Sequence, residues 1–272
     1  MKINISEAPT DSLKKLFWSV FFESKNRGIS LNRHFPWLEN GPETALFFEI
    51  VISSDTVAGL VLRHKKYQIH GEPINIGIIG LVCVAPEHRG VGISNKLLAK
   101  VIDYSKNNNY DYLTLWTNQH HIYSKHKFYL ADPWLYGWVK TDVAVKKLPC
   151  DNVINKALII ENTLSPLPPF ATGLYEYSSN NSSFGFLKDK DGEIVINYTG
   201  DVVELGLLMI NELPERWRLN VIKNDPLIAV LLNYGSIVKV SPANLQMWLS
   251  MRESNPSDLV INNVVIPILD RI

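Results

Sequence analysis

Residues 81–98 read LVCVAPEHRGVGISNKLL, from Leu81 to Leu98. Leu81 to Val84 are apolar, as at the end of a buried strand, and Pro86 stops that strand. Gly90 and Gly92 open a turn. From there Ile93, Leu97, Leu98, Val101 and Ile102 recur at helical spacing, which predicts a helix over Ile93–Lys106. The helix start leaves unpaired backbone N–H groups, and the positive end of the helix dipole, facing the turn. The glycines let the backbone approach an anion closely. Ser94 adds a hydroxyl and Arg89 a permanent charge. The combination reads as a cradle for a diphosphate. It is not the dinucleotide fingerprint, which needs a third glycine, nor a P-loop, because no Gly-Lys-Ser/Thr follows. A Gly-x-Gly before a helix can also be a plain connection, and the turn alone does not decide.

Outward from this stretch, Asp11-Ser12 could cap a helix over Leu13–Glu23. The segment Ser24–Pro42 is irregular; its His34, Phe35, Pro36 and Trp37 could line a ligand cleft or pack beneath a loop. Thr44–Ser53, Val57–Tyr67 and Ile74–Val84 read as an antiparallel meander, the last strand apolar throughout and so buried on both faces. Tyr110–Trp116 reads as a strand reached by a right-handed crossover. Gln119–Lys127 is a short helix or turn, and Phe128–Leu130 and Trp138–Leu148 are closing strands. Composition shifts after Pro149, and the Pro- and Ser/Asn-rich Glu161–Ser183 reads as a linker or a long loop. Strands are then expected over Phe184–Leu187, Glu193–Tyr198, Val202–Ile210, Ser236–Val240 and Leu259–Leu269, with helices over Asp225–Tyr234 and Asn244–Arg252. The division is a first domain over 1–149 and a second α+β domain over 150–272.

The chain has 272 residues with Lys+Arg and Asp+Glu equal at 27 each. That balance gives no support for a nucleic-acid or membrane-surface partner. Cys83 and Cys150, the two cysteines, stand outside metal-ligand spacing and form no disulfide framework, so no metal is expected and a cytoplasmic setting is. No apolar run approaches the roughly 18 residues of a membrane span, and the N-terminus shows no signal peptide. Cys83 lies in an apolar strand with no nearby base, so a core cysteine is favoured over a nucleophile.

The run Val84-Ala85-Pro86-Glu87-His88-Arg89-Gly90-Val91-Gly92-Ile93-Ser94 resembles the Arg/Gln-x-x-Gly-x-Gly/Ala signature of the GNAT superfamily of acyl-CoA-dependent N-acyltransferases. Ser94 stands where Gly or Ala is usual. Tyr123-Ser124-Lys125-His126-Lys127-Phe128 resembles the family's Tyr-x-Lys-x-Gly-Phe, with Lys127 in the glycine position. The resemblance spans about residues 1–148. It implies a GNAT fold, a mixed α/β (α+β) sheet flanked by helices. The second half could be a degenerate GNAT-like repeat or an unrelated accessory domain. It has no Arg-x-x-Gly-x-Gly counterpart, so even as a repeat it should be unable to hold coenzyme A in this way.

The resemblance further implies acetyl-CoA, or another acyl-CoA, in a split between the strands Ile74–Val84 and Tyr110–Trp116. Backbone groups near Cys83 and Val84 would hold the pantetheine and polarise the thioester. Amides of Arg89, Gly90, Val91, Gly92, Ile93 and Ser94 would hold the pyrophosphate. Tyr123 would protonate the departing thiolate. The acceptor would be a small-molecule or peptide amine. A non-catalytic acyl-CoA-binding module is the alternative. His120, His121 and Glu49 are candidate bases; Asn118 is a weaker candidate because the family often has Asn where Trp116 stands. The acceptor amine, the acyl chain length and the oligomeric state stay open, a homodimer among the options.

Overall fold

The computed structural model describes residues 1–40, 45–142, 155–158, 165–252 and 264–271. The chain divides into two compact units. The first comprises Met1–Asp132, Leu164–Pro169 and Asn244–Ile272; the second comprises Pro133–Thr163 and Phe170–Ala243.

The first unit opens with β1 (Lys2–Ser6) and α1 (Asp11–Phe21). Thr10 caps α1 by accepting from the Leu13 N–H, and Leu13, Leu16 and Phe17 form its buried stripe. Two short helices follow, α2 (Leu31–His34) and α3 (Trp37–Asn40). The meander is β2 (Ala45–Ile52), β3 (Asp55–Ile69) and β4 (Glu72–Val84). Then come α4 (Ile93–Asn107), β5 (Tyr112–Trp116), α5 (His120–Ser124) and β6 (Tyr129–Leu130).

The second unit begins with β7 (Trp134–Lys140) and β8 (Asn155–Leu158). It continues with β9 (Gly173–Ser178), β10 (Ser183–Asp189), β11 (Gly192–Thr199), α6 (Val202–Glu212), β12 (Arg216–Ile222), α7 (Pro226–Asn233) and β13 (Ile237–Pro242). Last comes β14 (Gln246–Ser250).

The two seven-stranded sheets have one plan. The first runs β1-β2-β3-β4-β5-β14-β6 and the second β8-β9-β10-β11-β12-β7-β13. In each, four strands run antiparallel, a helix crosses over, and the fifth pairs parallel to the fourth: β4 with β5 through α4, β11 with β12 through α6. The second half is therefore a repeat of the first. The strand between the fifth and last positions is exchanged. β7 follows the first unit in sequence but pairs with β12 and β13. β14 follows the second unit but pairs with β5 and β6.

This exchange overturns several expectations. A cut at residue 149/150 would leave each sheet without a strand. Asn244–Arg252, expected as a helix, instead carries strand β14 over Gln246–Ser250, which is hydrogen-bonded on both sides and buries Met247 and Trp248. Val202–Ile210 belongs to helix α6. Its Val-Val start suits a strand, but Asp201 caps it by accepting from Val203 and Glu204, and Leu205, Leu208 and Met209 bury at helical spacing. Gly173–Ser178, expected in a linker, is strand β9, held by β8 and β10. Residues 264–267 have no regular structure and Ile268–Asp270 is a 3₁₀ turn. The expected strand segments 143–148 and 259–263 lie outside the described residues.

Two details shape the first sheet. Glu49, fully inside, accepts from Thr10 and Thr56 hydroxyls. In β4 the register with β3 slips, so that Leu81 and Val82 together oppose Leu60, and Leu81 takes a left-handed φ of +51°. This bulge reverses which face each later residue of β4 meets. Ile79 and Val82 contact the core under α4, whereas Leu81, Cys83 and Ala85 pack with α1 and α3.

A chain ending at residue 149 lacks β14, leaving β5 and β6 without the strand between them. It is expected to show no cooperative thermal transition by circular dichroism, whereas the full chain does. In the full chain Trp248→Ala should cost about 3–5 kcal/mol, the usual loss for a buried tryptophan.

Candidate active site

The parallel pairing of β4 and β5 covers only Ile76–Tyr112, Gly77–Leu113 and Ile78–Thr114. Beyond Ile78, β4 runs on to Val84 beside β3, while β5 runs on to Trp116 beside β14. The two strands part, and their inner edges carry backbone N–H and C=O groups that do not pair with each other. The bulge at Leu81 lies on the parted stretch of β4.

At the end of that stretch is the glycine turn. A 3₁₀ turn over Pro86–His88 leads to Arg89, whose own N–H donates to Pro86 O at 3.3 Å. Its Nε donates to the Val84 carbonyl at 3.0 Å, holding the guanidinium against the strand end. Gly90 and Gly92 both have φ +80°, and a Cβ at either would point into open space. Gly92 is the N-cap of α4, and no side chain caps the helix. Among the described residues, the N–H groups from Gly90 to Ser94 have no protein partner. A positive helix start with free donors, two left-handed glycines and a fixed guanidinium fits an anionic group with several oxygens.

The second unit lacks this device. Between β11 and α6 stand only Gly200 and Asp201, and the Asp201 carboxylate already occupies the Val203 and Glu204 donors. A negative charge at the helix start repels a phosphate as well as filling its place.

Tyr123 lies on α5 and is 8% exposed. Its ring meets Phe128 edge-on, with centroids 6.0 Å apart. Burial pushes its phenol up to about 12, so it stays protonated at neutral pH. Its hydroxyl has no protein partner among the described residues. The turn after α5 is tied to α4 by His126 Nε2 and Asn95 Oδ1, 3.3 Å apart. Lys127, in the place where the motif has glycine, takes φ +67°. The motif's glycine thus has a conformational reason here, and lysine meets the requirement at a cost.

The remaining candidates are placed as follows. Cys83 is buried in β4 and burial raises its thiol to about 12, as for a core cysteine. His120 Nε2 donates to Asn244 O at 2.8 Å, and His121 is exposed. Glu49 serves the start of α1. Asn118 is exposed on the loop after β5 and accepts from Gln119. His34, Phe35 and Trp37 are core residues. The Ile29 N–H donates to His34 Nε2 at 3.0 Å, so His34 is the Nδ1-protonated neutral ring, donating to Leu167 O at 2.9 Å. Three features escaped sequence reasoning: the bulge at Leu81, the contribution of β14, and the tie from His34 to Leu167. Only Gly80, just before the bulge, hints at the first.

Sheet order, parted strands and the uncapped helix start together define a mixed α/β fold repeated in two units, with one open helix start beside the parted strands of the first. Residues 4–131 match the acetyltransferase (GNAT) domain family. Solved structures share the fold over nearly the whole chain. A GCN5-related N-acetyltransferase from Anabaena variabilis ATCC 29413 is similar at TM-score 0.68 and 14% identity, covering 92% of this chain and 73% of that one. Eis1 from Mycobacterium abscessus is similar at TM-score 0.58 and 12% identity, covering 92% and 74%. A tandem GNAT protein from the clavulanic acid biosynthesis pathway is similar at TM-score 0.56 and 10% identity, covering 93% and 100%. A search of the curated proteins finds no match. No helix among the described residues is long and apolar enough to cross a membrane.

Lys127→Gly should stabilise the protein by about 0.5–1 kcal/mol, the left-handed strain relieved less the entropy glycine adds to the unfolded chain; the thermal midpoint should rise. For His34, burial lowers the folded pKa below the ordinary imidazole value of about 6.5. The unfolded chain then binds the extra proton, so stability is full above 6.5 and falls as pH drops below it. Thermal midpoints measured across that range should decline for the wild type and decline less for His34→Gln.

Proposed function

We propose that the first unit is an N-acyltransferase that moves an acetyl group from acetyl-CoA to a primary amine of a small molecule or peptide. The observation that carries this reading is the parting of β4 from β5 directly beside the uncapped start of α4. One feature offers a slot with unpaired backbone groups for the amide-bearing pantetheine arm, the other a cradle for its diphosphate.

Acetyl-CoA supplies an activated acyl carbon; the residues of the chain orient it and manage protons. N–H groups from Gly90, Val91, Gly92, Ile93 and Ser94, with the Arg89 guanidinium, take the pyrophosphate. Backbone groups of β4 around Cys83 and Val84 are suited to hold the pantetheine and polarise the thioester carbonyl, a fixed-dipole effect. As the nitrogen–acyl bond forms, the carbon–sulfur bond breaks. The amine gives one proton to water, Tyr123 gives one to the departing sulfur, and Tyr123 is reprotonated by solvent. Its raised pKa keeps it charged with that proton through the alkaline range in which amines become neutral nucleophiles. The second unit, with Asp201 in the cradle position, has a structural part. A reducing cytoplasmic setting suits the free thiol of Cys83.

Gly92→Val forces a β-branched residue into φ +80° and fills the cradle; calorimetric affinity for coenzyme A should fall at least about tenfold, the scale of losing one or two charge-assisted contacts. Tyr123→Phe should cut kcat for CoA release by about 10²-fold or more, the size of a general-acid contribution, with CoA affinity within twofold. If no member of a broad amine panel releases CoA although CoA binds, the protein is an acyl-CoA-binding module.

A further inference from the structure

The last turn of α4, at the other end of the helix from the glycine turn, closes a cavity of about 520 Å³ in the first unit. That volume is within the range of small-molecule sites. Glu7, which follows β1, Leu46 on β2 and His64 on β3 form its wall. Tyr104 and Asn108 reach it from the end of α4, and Tyr110 from the approach to β5. The 15 residues of α4 separate this cavity from the cradle. At the usual helical rise that is about 20 Å, so a ligand here does not touch the thioester.

The wall is rich in acceptors. Glu7 is an exposed carboxylate with no protein partner among the described residues. Asn108 Nδ2 donates to Tyr104 O at 2.8 Å, which leaves the carboxamide oxygen over. His64 Nε2 and Asn75 Oδ1 lie 3.1 Å apart. That oxygen can only accept, so Nε2 donates and Nδ1 remains an acceptor. The carbonyl end of the α4 dipole adds partial negative charge. The hydroxyls of Tyr104 and Tyr110 both donate and accept. Burial, and after it the neighbouring Tyr104, pushes the Tyr110 phenol up to about 12, so it stays neutral. Both rings are held in place: Tyr110 meets His64 edge-on with centroids 5.2 Å apart, and Tyr104 meets Phe48 edge-on at 5.6 Å. Among the described residues no lysine or arginine lines the cavity. Lys66, the next residue of β3 on the His64 face, is exposed, and Asp111, beside Tyr110, is paired with Arg252.

The complement of such a wall is a positive group that carries several donors. We propose that this cavity is a second ligand site of the first unit, taking a small organic cation: an ammonium or guanidinium on a short apolar group. Glu7 and Asn108 Oδ1 accept its N–H groups, and the helix end attracts its charge. The tyrosine rings and Leu46 cover its apolar part, the rings also favouring the cation. The second unit supplies a comparison. At the matching place, beside the end of α6 and over β9 to β11, lies a cavity of about 400 Å³. Tyr175 and Phe186 stack there at 5.2 Å, with Glu193 and Glu212 beside them. Lys188, opposite Glu193 across the β10–β11 pair, lines that wall too. The fold plan thus makes a hollow in both units, but the second hollow carries a cation of its own and the first does not.

Calorimetric titration of the full chain, at low ionic strength and without acetyl-CoA, tests this with three probes of similar shape: 2-phenylethylammonium, 2-phenylethanol and 3-phenylpropanoate. The ammonium should bind saturably and at least about tenfold tighter than the alcohol, the scale of a hydrogen bond to a charged group. The anion should bind more weakly than either. Glu7→Gln should bring the ammonium within about twofold of the alcohol, the scale left once the charged partner is gone. Glu7 is exposed, so that variant should keep the thermal midpoint of the wild type. Glu212→Gln, in the second cavity, should leave all three affinities unchanged. No saturable binding of the ammonium, equal affinity for the alcohol, or a preference that survives Glu7→Gln overturns the proposal. Loss of the preference in Glu212→Gln overturns its assignment to the first unit. None of these outcomes involves CoA release, so the acyltransferase reading stands or falls separately.

Discussion

The structure turns on one local imbalance: β5 is bound along its whole length to β14 and only over three residue pairs to β4. A parallel pair that stops early in the middle of a sheet leaves backbone groups facing a gap, and such groups are costly to bury unless something completes them. The sheet tolerates the gap because each strand is held on its far side, β4 by β3 and β5 by β14. The bulge at Leu81 reinforces the parting by turning the end of β4 and reversing its faces, so that the apolar sequence Leu81–Ala85 serves α1 and α3 on one side and the α4 core on the other.

That dependence gives the exchanged strands their meaning. β14 is the far wall that lets β5 leave β4. The second unit repeats the strand plan and keeps the parallel pair with its crossover helix. Its turn, however, has been shortened to two residues, and an aspartate closes the helix start. The same fold therefore has one open helix terminus and one sealed one, and the difference is whether a glycine or a carboxylate stands at the N-cap.

Much of the first unit was legible because it depends on local chemistry. Apolar periodicity found β2 to β4, α4 and β5 within a few residues, and Gly90, Gly92 and Tyr123 could be picked out by spacing and type. The second half was harder. Val202–Ile210 has the composition of a strand, and only its cap at Asp201 and its place between two parallel strands make it a helix. Gln246–Ser250 has no alternation to mark it; it is a strand because neighbours on both sides supply its hydrogen bonds. Lys127 shows the converse, a residue whose left-handed backbone could be suspected from the glycine it replaces.

By itself the sequence determined where an anion could be held, since a helix start, two glycines and an arginine act through contacts within a few residues of one another. It also set the identity of the buried tyrosine and the absence of a second cradle. Tertiary structure alone decided which strands share a sheet, that Leu81 is bulged, and that His34 is a neutral core ring tied to Leu167. The bulge comes from the pairing of β4 with its neighbour β3; the other outcomes rest on hydrogen bonds between segments more than a hundred residues apart, such as His34 with Leu167 and Thr114 with Met247, and no local propensity encodes a partner at that distance.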